Sequence, residues 1–257
     1  MIDLSLVLPC YREEGHLRQN IDRVISLLCL SSLKWEVILV DDKSPDGTVA
    51  EINTILKKYE HLPVRGVFHQ ENQGRGGAFL TGAKESKGAI VGYFDIDLEV
   101  SPVYMTECIR KIIDENCDLV IGKRHYKVHL GLLYRHILSS AYSWTVSKIL
   151  GIPRSFDSES GFKFFRRQAL VAYFDCFIHK GWFWDTEVVT RFVRDGLRVT
   201  STPVLFIRNA TKRSTVKPIV DSLVYLKELI LFRRNYRKLP RPRVIVENLK
   251  EHPRLSA

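Results

Sequence analysis

Residues 94–99, Phe-Asp-Ile-Asp-Leu-Glu, crowd three carboxylates, Asp95, Asp97 and Glu99, into one short stretch. The apolar run before them, Ala89 to Phe94, reads as a buried strand. The acids then fall at its carboxyl end, where open α/β sheets bind their ligands. On an extended strand Asp95 and Asp97 share a face. Carboxylates this close repel one another at neutral pH, and a hard divalent cation, Mg²⁺ or Mn²⁺, relieves that repulsion through oxygen ligands. Such a cation commonly also holds phosphate, so the stretch points to a nucleoside-diphosphate substrate.

Two further blocks follow strand-like runs: Leu8-Pro9-Cys10-Tyr11-Arg12-Glu13 and Val40-Asp41-Asp42-Lys43-Ser44-Pro45-Asp46-Gly47-Thr48. A ring such as Tyr11 can stack on a nucleobase, and a carboxylate such as Asp42 can accept a base N–H. Asp46-Gly47 is equally a turn that caps the next helix. Gly74-Arg75-Gly76-Gly77 reads as a turn or as backbone that cradles phosphate at a helix start. It fits neither the Walker nor the dinucleotide pattern. Lys123 and Arg124 follow a fifth strand, and Arg135 and Ser139 stand one helical turn apart. A guanidinium suits bidentate phosphate binding, although each of these charges, like Lys212, Arg213 and Lys217, is also readable as solvated surface.

The elements that must position these residues alternate through the first half. Strands are expected at Leu4–Leu8, Glu36–Val40, Val64–Phe68, Ala89–Phe94 and Leu119–Ile121, with amphipathic helices between them. That pattern implies an α/β fold with a mainly parallel central sheet flanked by helices. In the second half, 132–150 is apolar around most of a helix, Phe162–Phe165 is a short strand and Val199–Ile207 another. Asp185 is either a helix N-cap or, with Glu187, a carboxylate free for chemistry. From Val216 a helical apolar period runs into Arg233, Arg234, Arg237, Lys238, Arg241 and Arg243. The expected division is therefore a catalytic domain over 1–215 and a basic amphipathic helix and tail over 216–257.

The 257-residue chain carries a formal net charge of +10, which favours an anionic partner. Nucleic acid is not expected, because the basic residues are not interleaved with a stacking platform. Five scattered cysteines without CxxC spacing argue against a disulfide framework or structural zinc and for a reducing compartment. No signal-peptide pattern opens the sequence. No stretch approaches the roughly 20 apolar residues of a membrane span. A cytoplasmic protein, peripheral on a membrane face, is the expectation.

Taken in order, residues 8–13, 40–48, 72–78 and 95–99, extended by Gly122-Lys123-Arg124-His125 and Asp157-Ser158-Glu159-Ser160-Gly161-Phe162-Lys163, resemble the signature blocks of family 2 glycosyltransferases. Within that family they are most similar to dolichyl-phosphate mannosyltransferase and bacterial polyprenyl-phosphate glycosyltransferases. The resemblance spans about residues 4–235. It implies a GT-A fold and inverting, metal-dependent transfer of a hexose, mannose or glucose, from GDP-mannose or UDP-glucose to a polyprenyl phosphate. By position, Pro9, Tyr11 and Asp42 would hold base and ribose, with Glu13 nearby. Asp95 and Asp97 would be the DxD pair on metal and diphosphate, with Glu99 where relatives carry a Gln. Arg124 would lie near the phosphates, Arg135 and Ser139 would receive the acceptor phosphate, and Arg213 and Lys217 would sit in a loop over the donor. Asp157 would orient the sugar or a loop. A membrane surface, or a small integral partner, would present the lipid. The alternatives are a glycosyltransferase with a saccharide or other hydroxyl acceptor, for which Asp185 and Glu187 are the candidate bases, and a non-catalytic nucleotide-sugar-binding relative.

Overall fold

A computed structural model describes residues 2–126, 144–208 and 218–242, with the side chains of 218–223 excepted. The alternating half folds as β1 (Ile2–Cys10), α1 (Leu17–Cys29), β2 (Trp35–Asp41), α2 (Thr48–Lys58), β3 (Val64–Phe68), α3 (Gly74–Glu85), β4 (Gly88–Phe94), α4 (Met105–Asp114) and β5 (Leu119–Tyr126). Residues 144–150 are helical (α5). They are followed by β6 (Phe162–Arg166), α6 (Arg167–Val171), α7 (Trp184–Arg194), β7 (Val199–Phe206) and α8 (Pro218–Asn235).

The strands form one seven-stranded sheet in the order β3-β2-β1-β4-β6-β5-β7. All neighbours run parallel except β6, which is antiparallel to both β4 and β5. The expected mainly parallel α/β sheet is therefore present. Its strands are near-continuous apolar runs because helices cover both faces. Side chains alternate between those faces. Leu4, Leu6, Leu8, Val37 and Leu39 join the core shared with Ile21, Ile52 and Ile109 of α1, α2 and α4. Val7, Ile38, Val40, Val91 and Tyr93 join the opposite core, with Phe79, Val146, Leu170, Val188 and Leu229 of α3, α5, α6, α7 and α8. In α1 the buried residues Leu17, Ile21, Val24, Ile25 and Leu28 recur every three or four positions, the stripe that seats an amphipathic helix on a sheet.

Two elements differ from the sequence expectation. β5 does not stop at Ile121. Its pairing with β6 ends there, but pairing with β7 continues to Tyr126 opposite Phe206. Lys123 and Arg124 thus lie within a strand, hidden from pattern reading because that stretch has a neighbour on one side only and so need not be apolar. The other is α8, whose apolar residues do not gather on a single face. Leu229 and Phe232 are buried in the core while Val224, Leu226, Ile230 and Leu231 are exposed. Among the described residues no helix is long and apolar enough to cross a membrane.

Candidate active site

The carboxyl ends of β2, β1 and β4 lie side by side in the sheet, and the first residues beyond each strand hold unusual backbone. Arg12, Lys43 and Leu98 adopt φ values of 59°, 61° and 54°. Left-handed backbone costs a side-chain-bearing residue of order 1 kcal/mol or more and tends to collect at functional sites. The fourth such residue among those described is Asn116, a type that tolerates this conformation.

Pro9, near the end of β1, is half-buried, and beyond the strand Tyr11 is exposed and Glu13 buried. The Glu13 backbone N–H donates to Thr48 Oγ1 at 2.8 Å, tying this loop to the start of α2. Asp46 Oδ1 accepts from the backbone N–H of Thr48 at 3.2 Å, the helix-start turn expected of it. Asp42 is only 3 % exposed. Its Oδ1 accepts from Gln73 N and from His69 Nδ1, each at 2.8 Å, and its carbonyl accepts from Asn72 Nδ2 at 2.9 Å. In the neutral ring, His69 Nε2 then accepts from Thr81 Oγ1 at 3.0 Å. The Asp42 carboxylate is therefore held at the carboxyl end of β2, oriented by His69, a residue that no sequence motif marks.

β4 ends at Phe94, so Asp95 and Asp97 project from a turn and not from an extended strand. The turn closes through Leu98 N on the Asp95 carbonyl at 3.2 Å and Glu99 N on Asp97 Oδ1 at 3.3 Å. Ile96 drives into the core at 2 % exposure and its carbonyl accepts from Asn20 Nδ2 at 2.9 Å. This anchors the turn with both aspartates half-buried on either side. Glu99 belongs to the next stretch, where its carbonyl accepts from Ile207 N at 2.7 Å. Among the described residues no three His, Cys, Asp or Glu side chains converge as a metal cage. The expected set of Asp95, Asp97 and Glu99 thus does not converge as three protein ligands among the described residues.

Arg75, in the first turn of α3, lies against Asp95 with Nη1 3.1 Å from Oδ1, while Nη2 reaches Asp185 Oδ2 at 2.7 Å. Its guanidinium lies 4.5 Å from the Trp182 ring centre and 5.5 Å from that of Tyr93. The other Asp185 oxygen takes Lys163 Nζ at 2.5 Å. Lys163 also donates to the carbonyls of Ser158 and Ser160. Lys163 is fully buried and Asp185 nearly so. Burial depresses the Lys163 ammonium below its usual range, with Asp185 opposing. Burial pushes the Asp95 carboxyl up; Arg75 pulls it down, and repulsion from Asp97 and Asp185 adds to the rise, leaving it at about 6. The Asp95 side chain stays 42 % exposed, so water tempers that shift.

Asp185 consequently does not cap α7. Phe183 occupies the N-cap, with no side-chain hydrogen bond, and Asp185 is the buried anchor between two cations. Glu187 is equally committed: it accepts from Arg191 Nε at 2.8 Å and from His179 N at 2.9 Å, and pairs with His179 Nδ1 at 2.8 Å. Arg124 is gripped through two nitrogens by Asp157, at 2.7 and 2.9 Å. Burial pushes the Asp157 carboxyl up, but the charge and hydrogen bonds of Arg124 outweigh it and hold the group below the usual carboxylate value. Arg135, Ser139, Arg213 and Lys217 lie outside the described residues.

The sequence model of glycosyl transferase family 2 matches residues 5–174, a span that contains every one of these loops except the 178–187 segment. The chain belongs to glycosyl transferase family 2. This glycosyltransferase is 27 % identical over 253 residues to the dolichyl-phosphate beta-glucosyltransferase of Saccharomyces cerevisiae, covering 91 % of this chain and 75 % of that protein. It is 29 % identical over 151 residues to the dodecaprenyl-phosphate galacturonate synthase of Rhizobium johnstonii, covering 59 % of this chain and 44 % of that longer protein. Its fold matches that of glucosyl-3-phosphoglycerate synthase from Mycobacterium tuberculosis, solved with Mn²⁺, uridine diphosphate and glucosyl-3-phosphoglycerate. The TM-score there is 0.63 at 20 % identity, over 93 % of this chain and 81 % of that one. The fold of the glycosyltransferase is thus GT-A.

Of the residues singled out in its sequence, the structure gathers Pro9, Tyr11, Glu13, Asp42, Asp95 and Asp97 at the carboxyl ends of three adjacent strands. Arg75 and Lys163 stand in motif blocks without a role of their own in the sequence pattern, and Trp182 stands in none. A signal existed for Lys163, a lone charge inside the aromatic run Phe162–Phe165. Arg75 was masked by the glycines around it, and nothing local marks Trp182.

Proposed function

We propose that this glycosyltransferase moves a hexose, with inversion, from a nucleotide-sugar to a polyprenyl phosphate, assisted by Mg²⁺ or Mn²⁺. The single observation that carries the acceptor reading is the commitment of Asp185 and Glu187 to buried ion pairs. A sugar hydroxyl must lose its proton as it attacks, and these candidate bases are already neutralised by cations. A phosphate acceptor is anionic near neutral pH and asks only to be positioned. The name of the yeast relative supports the same acceptor class.

Two half-buried aspartates on a turn suit a hard cation that keeps waters and shares donor phosphates, as Mg²⁺ typically does. Asp95 and Asp97 would hold it. When bound, it would offset charge growing on the departing diphosphate. The chain's own residues do the rest. Tyr11 offers a ring to the base, and Asp42, fixed by His69 and Gln73, accepts from base or ribose. Arg124 is held by Asp157 and aimed by strand β5; it supplies a fixed positive charge where negative charge develops. The resemblance to the family assigns Arg135 and Ser139 to the acceptor phosphate and Arg213 and Lys217 to the donor. The exposed apolar residues of α8, followed by exposed Arg233, Arg234, Arg237, Lys238 and Arg241, dock on an anionic leaflet, where each basic residue contributes about 1 kcal/mol.

A saccharide or other hydroxyl acceptor is the second reading. It draws on Glu159, a carboxylate in the shallow hollow lined by Val146, Ser147, Ile152, Phe156, Asp157 and Ser158, whose charge acts on Arg124. One assay separates the readings: UDP- and GDP-sugars with Mn²⁺ or Mg²⁺, offered a short polyprenyl phosphate or free saccharides. Transfer to the phosphate, lost with EDTA and in Asp97→Ala, is expected. Transfer to saccharides alone would move the assignment to the second reading, and no turnover with any donor would support the non-catalytic one.

A further inference from the structure

Asp95 is already occupied by a cation belonging to the chain. Arg75 Nη1 lies 3.1 Å from its Oδ1, and the same guanidinium is fastened by Nη2 to Asp185 and flanked by Trp182 and Tyr93. The fastening is tight on every side. A methyl group at Gly161 would sit 2.1 Å from Asp95 Oδ2 and 2.7 Å from Arg75 Nη2, so the backbone closes directly on this pair. Gly77 N donates to the Lys180 carbonyl at 3.0 Å, binding the first turn of α3 to the segment that carries Trp182. Asp185 cannot drift toward Asp95 either, because Lys163 holds its second oxygen.

The local charge follows. Asp95, Asp97 and Asp185 bring three negative charges and Arg75 and Lys163 two positive ones, while Arg124 is matched by Asp157. A free divalent cation at Asp95 therefore meets carboxylates already offset by Arg75 and Lys163 and a guanidinium beside its first ligand. A nucleoside diphosphate arriving with the cation adds the missing negative charge and gives the Arg75 guanidinium a second acceptor. We propose that Arg75 is a positioning residue that serves as a built-in counter-cation for Asp95. It disfavours binding of the divalent cation alone and couples cation and nucleoside diphosphate so that they bind as a pair. This rests on the assignment of Asp95 and Asp97 as the cation's holders. By linkage, whatever Arg75 subtracts from cation binding alone reappears as coupling between the two ligands.

The test is Mn²⁺ binding measured by the electron paramagnetic resonance of free Mn²⁺, with and without uridine or guanosine diphosphate. The proteins are the parent, Arg75→Gln, Arg75→Lys and Arg75→Met. The Met side chain fills the same slot against Tyr93 and Trp182 and provides a second neutral variant should the amide fold poorly. Asp185 keeps Lys163 in all of them. Without nucleotide, the neutral variants are expected to bind Mn²⁺ about 10-fold more tightly than the parent, the order expected when one nearby like charge is removed from a partly solvated site. Arg75→Lys, which keeps the charge, should stay within about 3-fold of the parent on the same grounds. The gain in Mn²⁺ affinity caused by the diphosphate should shrink in the neutral variants. Folded neutral variants that bind Mn²⁺ alone no more tightly than the parent would overturn the counter-cation role while leaving Asp95 and Asp97 as holders. Absence of Mn²⁺ binding in the parent even with diphosphate would overturn both.

Discussion

Asp185→Asn separates a buried anchor from a catalytic base. The substitution keeps shape and removes one charge from a residue 1 % exposed. Lys163, at 0 % exposure, then keeps only neutral acceptors, the carbonyls of Ser158 and Ser160 and at most the new amide oxygen. Breaking a buried ion pair by neutralising one partner costs about 3–5 kcal/mol. Two features place this case at the lower end. The carbonyls still accept from Lys163, and burial already lowers its pKa, so it can shed its proton when the partner is lost. A cost of about 3 kcal/mol, at roughly 2–4 °C per kcal/mol for a domain of this size, lowers Tm by roughly 6–12 °C. Lys163→Met should cost less, about 1–2 kcal/mol, because Asp185 keeps Arg75 and so avoids the full penalty of an unpaired buried charge. The double variant should cost less than the sum of the two. Thermal and urea denaturation followed by circular dichroism supply all three values. An Asp185→Asn protein that melts within 2 °C of the parent (an interval set by the lower bound above) yet has lost turnover would refute the anchor and restore Asp185 as a base.

Other consequences follow from the same contacts. Gly76→Ala places a methyl group 2.5 Å from Trp184 Cβ and 2.9 Å from the Lys180 carbonyl. Overpacking of this kind costs about 1–3 kcal/mol, visible as a lower urea midpoint. Tyr11→Ala should weaken binding of a nucleoside diphosphate by roughly 5- to 150-fold, the range of one base–aromatic stack, while leaving Tm unchanged because the ring is 41 % exposed; calorimetric titration reads the first claim and scanning calorimetry the second. Asp157 has a folded-state pKa below its unfolded value, so its pairing with Arg124 stabilises the fold above the unfolded pKa and is lost as pH falls through the folded one. Asp157→Asn should therefore lower Tm at pH 7 and flatten the decline of Tm below about pH 4, the region where an ordinary Asp protonates.

Much of this protein is legible in local pattern. Apolar runs of strand length separated by amphipathic helices determine the parallel sheet, because strands covered on both faces must be apolar throughout. The same runs determine that Tyr11, Asp42 and Asp95 emerge at one end of adjacent strands, since each ends where its chain turns polar. What pattern could not decide is which charges are spoken for. Asp95, Asp97 and Glu99 are neighbours in sequence, yet among the described residues the turn pinned by Ile96 and Asn20 does not gather the three carboxylates into one cage. Arg75 meets Asp185 across 110 positions of chain, and Lys163 meets it across 22. These pairings depend on β6 inserting antiparallel between β4 and β5 and on α7 packing against that face. The sequence by itself therefore determined the scaffold and the end of the sheet where chemistry belongs. Only tertiary structure decided that Asp185 and Glu187 are neutralised anchors and that Asp95 has a resident cation, because pairing depends on distance and burial and neither is encoded in a residue's neighbours along the chain.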